Sequence, residues 1–180
     1  MEFDLLDLYG RASEWTGEKA QGAVSRLDAS TNCDDWTVRD LMNHMLATQQ
    51  YFVGRARGED VALSQEPPDL LSDDPLSDFD RARSETLRTF GAPGVIDETG
   101  PALGIAFSDQ LLHGWDLAVS TRQDAAMPEG LPEAAFAMIH GRFTDEQRKG
   151  VFKPEIAVPP DSSSQEKLLG YVGRDPSQGA

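Results

Sequence analysis

The sequence predicts an all-α protein built on four main helices, a four-helix bundle. Three observations lead there. Apolar residues recur at helical spacing through four long segments. Helix-start and helix-stop residues flank those segments, with Thr37 and Pro75 at two beginnings and Gly58 at one end. Stretches rich in Pro, Gly and acidic residues separate them. No internal repeat and no strong linker interrupts the pattern, so residues 1–180 are expected to form one domain.

The first helix is expected from about Glu2 to Leu27, with Leu5, Leu8, Ala12 and Trp15 on one face. Gly17 and Gly22 weaken its second half by about 1 kcal/mol each relative to Ala. After the polar turn "DASTNCDDW", Thr37 reads as an N-cap with Asp40 as its capping-box acid, opening a second helix to about Arg57. Residues 58–75 form a long acidic loop, of the length that covers functional sites. Pro75 opens a third helix carrying Phe79, Ala82, Thr86 and Phe90 on one side. "GAPGVIDETGPALG" reads as a loop or small hairpin, and the fourth helix is expected from Ile105 to Thr121. A short extra helix from Pro132 to about Gly141 follows. An extended C-terminal tail then ends in one or two helical turns around Gln165 to Tyr171.

Composition narrows the function. Sixteen basic residues against thirty-one acidic ones give a net charge of −15. Nucleic acids and anionic membranes are therefore disfavoured partners, since both need a basic surface. Cys33 is the single cysteine, which excludes an intrachain disulfide and suits a reducing cytoplasm. No secretory leader pattern and no run of about 20 apolar residues is present. The expectation is a cytoplasmic protein, a monomer or homodimer, acting on a small molecule.

The stretch "DQLLHGWD" concentrates the chemistry. On a helical wheel Asp109, His113, Asp116 and Ser120 fall in a stripe about 60° wide. Ile105, Leu112 and Val119 border it on one flank, Ala106 and Leu117 on the other. Buried carboxylates and imidazoles are costly unless paired, hydrogen-bonded or bound to a metal. A local Asp–His hydrogen bond or a water-filled groove would answer that cost. In the second helix, His44 sits at the edge of the apolar face formed by Val38, Leu41, Met42, Met45, Phe52 and Val53, the usual place of a structural histidine. A bundle can also bring that edge opposite the stripe. His44, Asp109 and His113 would then supply two imidazoles and a carboxylate, the donor set of an open transition-metal site. Thr48 and Asp116 would orient its ligands. His140 reads as structural or exposed, and Trp15, Trp36 and Trp115 as core anchors. Cys33, beside Asp34 and Asp35, is a poor nucleophile candidate because neighbouring acids disfavour the thiolate.

Three stretches, "NCDDWTVRDLMNHM", "DQLLHGWDLA" and "EIAVPPDSSSQEKLLGYVGRDP", resemble the DinB superfamily. The likeness is to its actinobacterial branch related to mycothiol-dependent maleylpyruvate isomerase. The first is similar to the family pattern Cys-x-x-Trp-Thr-x-x-Asp-Leu-x-x-His, and the second to acid-x-x-x-His-x-x-Asp-Leu. The third is similar to the ending of a shorter metal-binding group. The resemblance implies an up-down-down-up bundle with a divalent metal on His44, Asp109 and His113: zinc first, with nickel or iron as alternatives. It also implies mycothiol as a cosubstrate. Two departures stand out: the isomerase-type proteins often carry Glu where this chain has Asp109, and they have a larger C-terminal domain that 180 residues leave no room for. The expected activity is that of a thiol S-transferase or isomerase, in which a metal-activated thiol or water attacks a small electrophilic metabolite. The alternative is a binding protein that sequesters such a metabolite in a biosynthetic or self-protection system without turnover.

Overall fold

Asp4 opens the first helix, its carboxylate accepting from the Leu6 and Asp7 amides at 3.1 Å. The computed structural model describes residues 4–33, 35–64, 66–149 and 151–179. Glu2, where the sequence placed the helix start, and Asp34 lie outside them. α1 (Leu5–Ala23) runs into a 3-10 turn, Val24–Arg26. α2 (Val38–Ala56) starts at the expected capping box: the Asp40 amide donates to Thr37 Oγ1 at 3.3 Å, and the Thr37 amide to Asp40 Oδ2 at 2.9 Å. α3 (Pro75–Phe90) begins on Pro75 with Asp74 as N-cap. α4 (Val95–Thr121), α5 (Leu131–Ile139), the single turn α6 (Asp145–Arg148) and α7 (Ser164–Tyr171) follow. Among the described residues every regular element is helical, apart from one antiparallel bridge between Ser30 and Thr37. None of these helices is long and apolar enough to cross a membrane.

Side-chain contacts give the helix directions. Leu5 lies against Gly100 and Gly104, Thr16 Oγ1 donates to the Gln110 carbonyl at 2.9 Å, and Gly22 faces Gln123. Contact order rises together along both helices, so α1 and α4 are parallel. Gly10 meets Leu87, and Gly91 meets Leu6, so α3 runs against α1. Thr48 bonds Asp109 while His44 meets His113, so α2 runs against α4. The bundle is up-down-down-up, and residues 58–74 are the crossover between the two parallel helices α2 and α3. That crossover is tied down: Asn43 Oδ1 accepts from the Leu70 and Leu71 amides at 2.7 and 2.8 Å, and Asp78 Oδ2 from the Ser72 amide at 2.7 Å.

Two apolar clusters hold the assembly. One joins α1, α4, α5 and α7 around Tyr9, Phe107, Trp115, Leu131 and Leu168; the other joins α2 and α3 to α1 and α4 around Val38, Leu41, Met45, Phe79 and Leu117. The sequence expectation failed at "GAPGVIDETGPALG". Only its first residues form a turn, and α4 is helical from Val95, through Pro101. Pro101 removes the bond to the Asp97 carbonyl, but packing outweighs this loss. Gly100 and Gly104 let α4 close on Leu5 and Met138, where added Cβ atoms would stand 3.4 Å and 3.2 Å from those side chains. Ile105, expected to border the buried stripe, is 46% exposed. Trp15 and Trp115 are buried as expected, whereas Trp36 is only partly buried and lies against the ring of His44. His140 is exposed at the end of α5, its ring near Phe136 and Tyr171.

Candidate metal centre

α2 and α4 cross so that His44 and His113 meet edge to face, ring centres 5.0 Å apart. His44, Asp109 and His113 each offer one ligand atom, and these atoms lie within 4.8 Å of one another. His113 Nε2 stands 3.5 Å from Asp109 Oδ1, with the two side chains 14% and 20% exposed. The group is thus set into the bundle wall with access from solvent. Thr48, one turn beyond His44, donates its hydroxyl to Asp109 Oδ2 at 2.9 Å and leaves Oδ1 turned to His113. Trp36 also packs against His44, ring centres 4.8 Å apart.

The electrostatics differ between the two imidazoles. Burial, with His113 nearby, lowers the His44 pKa to about 4 and outweighs the attraction of Asp109 and Asp116. His44 is therefore neutral at pH 7, with a ring lone pair to give. Burial also works against charge on His113, but Asp109 on one side and Asp116 on the other raise its pKa to about 10. A cation taking its Nε2 displaces a proton from that nitrogen.

Asp116 is fully buried and receives an unusual number of donors. His113 Nδ1 is 2.9 Å from Oδ2, and Cys33 Sγ lies 3.4 Å from the same oxygen. Asn32 Nδ2 donates to Oδ1 at 2.9 Å. Arg174 grips both oxygens, Nε to Oδ1 at 2.8 Å and Nη2 to Oδ2 at 2.6 Å. Burial alone would raise the carboxyl pKa; the guanidinium and His113 instead hold it well below the usual range. Cys33, His113 and Asp116 are also near enough to share an ion. The guanidinium already on Asp116 makes that the poorer cation site, because it places positive charge where a second cation would sit.

All five residues singled out in the sequence, His44, Thr48, Asp109, His113 and Asp116, are brought together. Sequence reasoning missed Arg174 and Asn32, and set Cys33 aside on account of its chain neighbours, although the acid its thiol meets is Asp116. The available signal was the lone basic residue in "YVGRDP", but nothing in its spacing pointed to a partner 58 residues earlier.

A cavity of about 210 Å³ opens on the same side of α2, between Ala47, Gln50 and Tyr51 and the crossover residues Val61–Ser64 and Pro68. Ala47 and Tyr51 lie one and two turns beyond His44.

Comparison with known proteins places these features in a family. Over 165 residues the chain is 27% identical to the uncharacterized protein Rv0738 of Mycobacterium tuberculosis (strain ATCC 25618 / H37Rv), covering 84% of this chain and 86% of that one. The uncharacterized protein MT0763 of strain CDC 1551 / Oshkosh matches to the same extent. No solved structure gives a significant match. Residues 17–118, which include α2, α3 and Asp109, His113 and Asp116 of α4, match the mycothiol maleylpyruvate isomerase N-terminal domain family. The chain belongs to that family.

Proposed function

We propose that His44, Asp109 and His113 hold one divalent transition-metal ion, zinc first, with nickel or iron as alternatives. The centre then activates a low-molecular-weight thiol of the mycothiol kind, or water, towards a small electrophilic metabolite. The single observation that carries this reading is the convergence of the three donors from two antiparallel helices. The donor set fits: two imidazoles and a carboxylate suit zinc, nickel and iron. The 3.5 Å between Nε2 and Oδ1 is near the roughly 3.3 Å that separates two ligands of a tetrahedral zinc with bonds of about 2.0–2.1 Å.

The residues divide the work. His44 gives a neutral nitrogen. Asp109 brings the negative charge that offsets half of a dication, aimed by the Thr48 hydroxyl. His113 gives Nε2 while its Nδ1 donates to Asp116. Three protein ligands leave coordination open towards solvent. A cation bound there supplies Lewis acidity, favouring the anionic form of a thiol or water at neutral pH. The cavity walled by Tyr51 and the crossover, one to two turns along α2 from His44, offers the electrophile a place.

The test begins with metal content. Protein grown with added zinc or nickel should carry close to one transition-metal ion per chain, and His44→Ala should lose most of it. No metal in either protein would sink the centre. The loaded protein is then incubated with mycothiol or another small thiol and a panel of electrophiles, and the products are read by mass spectrometry. Metal-dependent adducts that vanish in His113→Ala are the expected result. Tight ligand binding without product, unchanged by chelation, would replace this reading with a sequestering protein.

A further inference from the structure

The chain beyond residue 118 lies outside the matched family region, yet it returns to the centre. α7 ends at Tyr171, and Gly173 turns the backbone at φ +77°, so close to Lys153 that an added Cβ would stand 2.6 Å from its backbone. The Arg174 amide then donates to the Leu169 carbonyl at 2.9 Å, which directs the side chain inward. From the same segment Lys153 Nζ donates to the Asn32 carbonyl at 2.9 Å, next to the amide side chain that bonds Asp116. The tail therefore meets the site at two residues, Lys153 at Asn32 and Arg174 at Asp116.

We propose that Arg174 is a positioning residue of the centre: it clamps both oxygens of Asp116, so that Oδ2 takes the Nδ1 hydrogen of His113 and the Nε2 lone pair faces His44 and Asp109. The proposal rests on the reading of those three residues as a cation site. Its force comes from geometry. A carboxylate can rotate about its Cβ–Cγ bond, and a two-point guanidinium fork stops that rotation where a single point contact does not. Asp116 sits three residues after His113 on α4, within reach of Nδ1 at 2.9 Å. Oδ1 is left to Asn32 and the fork, Oδ2 to the fork, His113 and Cys33. An imidazole that donates Nδ1–H to a fixed carboxylate has one nitrogen left for a metal, and such outer partners command about 10- to 100-fold in metal affinity.

The experiment uses the full chain. Zinc affinity is measured by competition with a chelator, ligand geometry by cobalt(II) absorption, the His113 tautomer in the zinc-loaded protein by 15N–1H correlation of its ring, and folding by urea unfolding. Arg174→Met should bind zinc about 10- to 100-fold more weakly, with an altered cobalt(II) spectrum and mixed His113 tautomers, at denaturant concentrations where it is still folded. Arg174→Lys should recover part of the affinity. Wild-type affinity, spectrum and a single Nδ1–H tautomer in Arg174→Met overturn the proposal. If Arg174→Met does not fold, Arg174→Met/Asp116→Asn removes both buried charges together and carries the same expectation; wild-type affinity there overturns it equally. The two readings fail differently. Loss of zinc in His44→Ala with none in the Arg174 variants rejects the clamp and keeps the centre. No zinc uptake by the wild-type protein rejects the centre, and the clamp with it.

Discussion

At the scale of single residues, the two sides of the centre depend on different kinds of support. His44 is kept neutral by burial, with the nearby His113 acting in the same direction. Asp109 is held from outside the centre by Thr48, whose hydroxyl donates to Oδ2 at 2.9 Å. Asp109→Asn keeps the shape and removes the anionic donor, so zinc affinity should fall at least about tenfold, comparable to the loss of an outer partner. Chelator competition measures it, and an unchanged value would show that Asp109 does not coordinate. Asp40 offers a test away from the site. Hydrogen bonds from the Thr37 hydroxyl and amide lower its pKa. A depressed folded-state pKa contributes stability that is present above the unfolded value, about 4, and is lost as pH falls through the folded one. The stability gap between wild type and Asp40→Asn in urea should therefore be full at neutral pH and shrink below about pH 4. A gap that grows in acid would contradict the capping role. Residues such as Thr37, Asp40 and the spacing of Asp109, His113 and Asp116 were legible because local geometry fixes them. Arg174 was not, since its meaning depends on a tail folding back over α4.

At the scale of elements, α4 combines two demands that the sequence presents as a conflict. Its stripe needs polar groups, and its back must approach α1 closely. Gly114 answers the second demand: a Cβ there would stand 2.5 Å from Thr16 Oγ1 and 2.7 Å from a ring carbon of Trp15. Thr16 uses the closeness to bond the Gln110 carbonyl one turn earlier. Gly114→Ala gains helix propensity on an isolated helix. In the bundle it should instead destabilise by about 1–3 kcal/mol, the usual cost of overpacking. A neutral or stabilising result in denaturant unfolding would mean that α1 and α4 can separate freely. The same close approach explains the missed start of α4. Propensity alone reads Gly94, Gly100, Pro101 and Gly104 as a loop. Contacts with Leu5 and Met138, invisible to a local window, keep the segment helical.

At the scale of the whole molecule, the candidate centre ties α2 to α4, two helices separated by residues 57–94, which include the long crossover and all of α3. The amphipathic patterns and the crossover length made a bundle legible, and the resemblance gave its helix order. The convergence of His44 with the stripe could be posed from the sequence only as one arrangement among several, because wheel positions do not specify which edges meet. That convergence has a thermodynamic consequence. Unfolding separates the three donors, so a cation that binds only the folded chain must stabilise it by mass action. With free zinc at about 100 times its dissociation constant, the gain should be about 2.7 kcal/mol, seen as a rise in Tm that grows with the logarithm of zinc concentration. His44→Ala and His113→Ala should each abolish the shift, since either removes a donor that holds the two helices together. Arg174→Met should keep a smaller one, as its effect is on affinity rather than on the donor set. A zinc-dependent rise in Tm that persists in His44→Ala would place the stabilising ion elsewhere on this acidic surface and break the proposed link between α2 and α4.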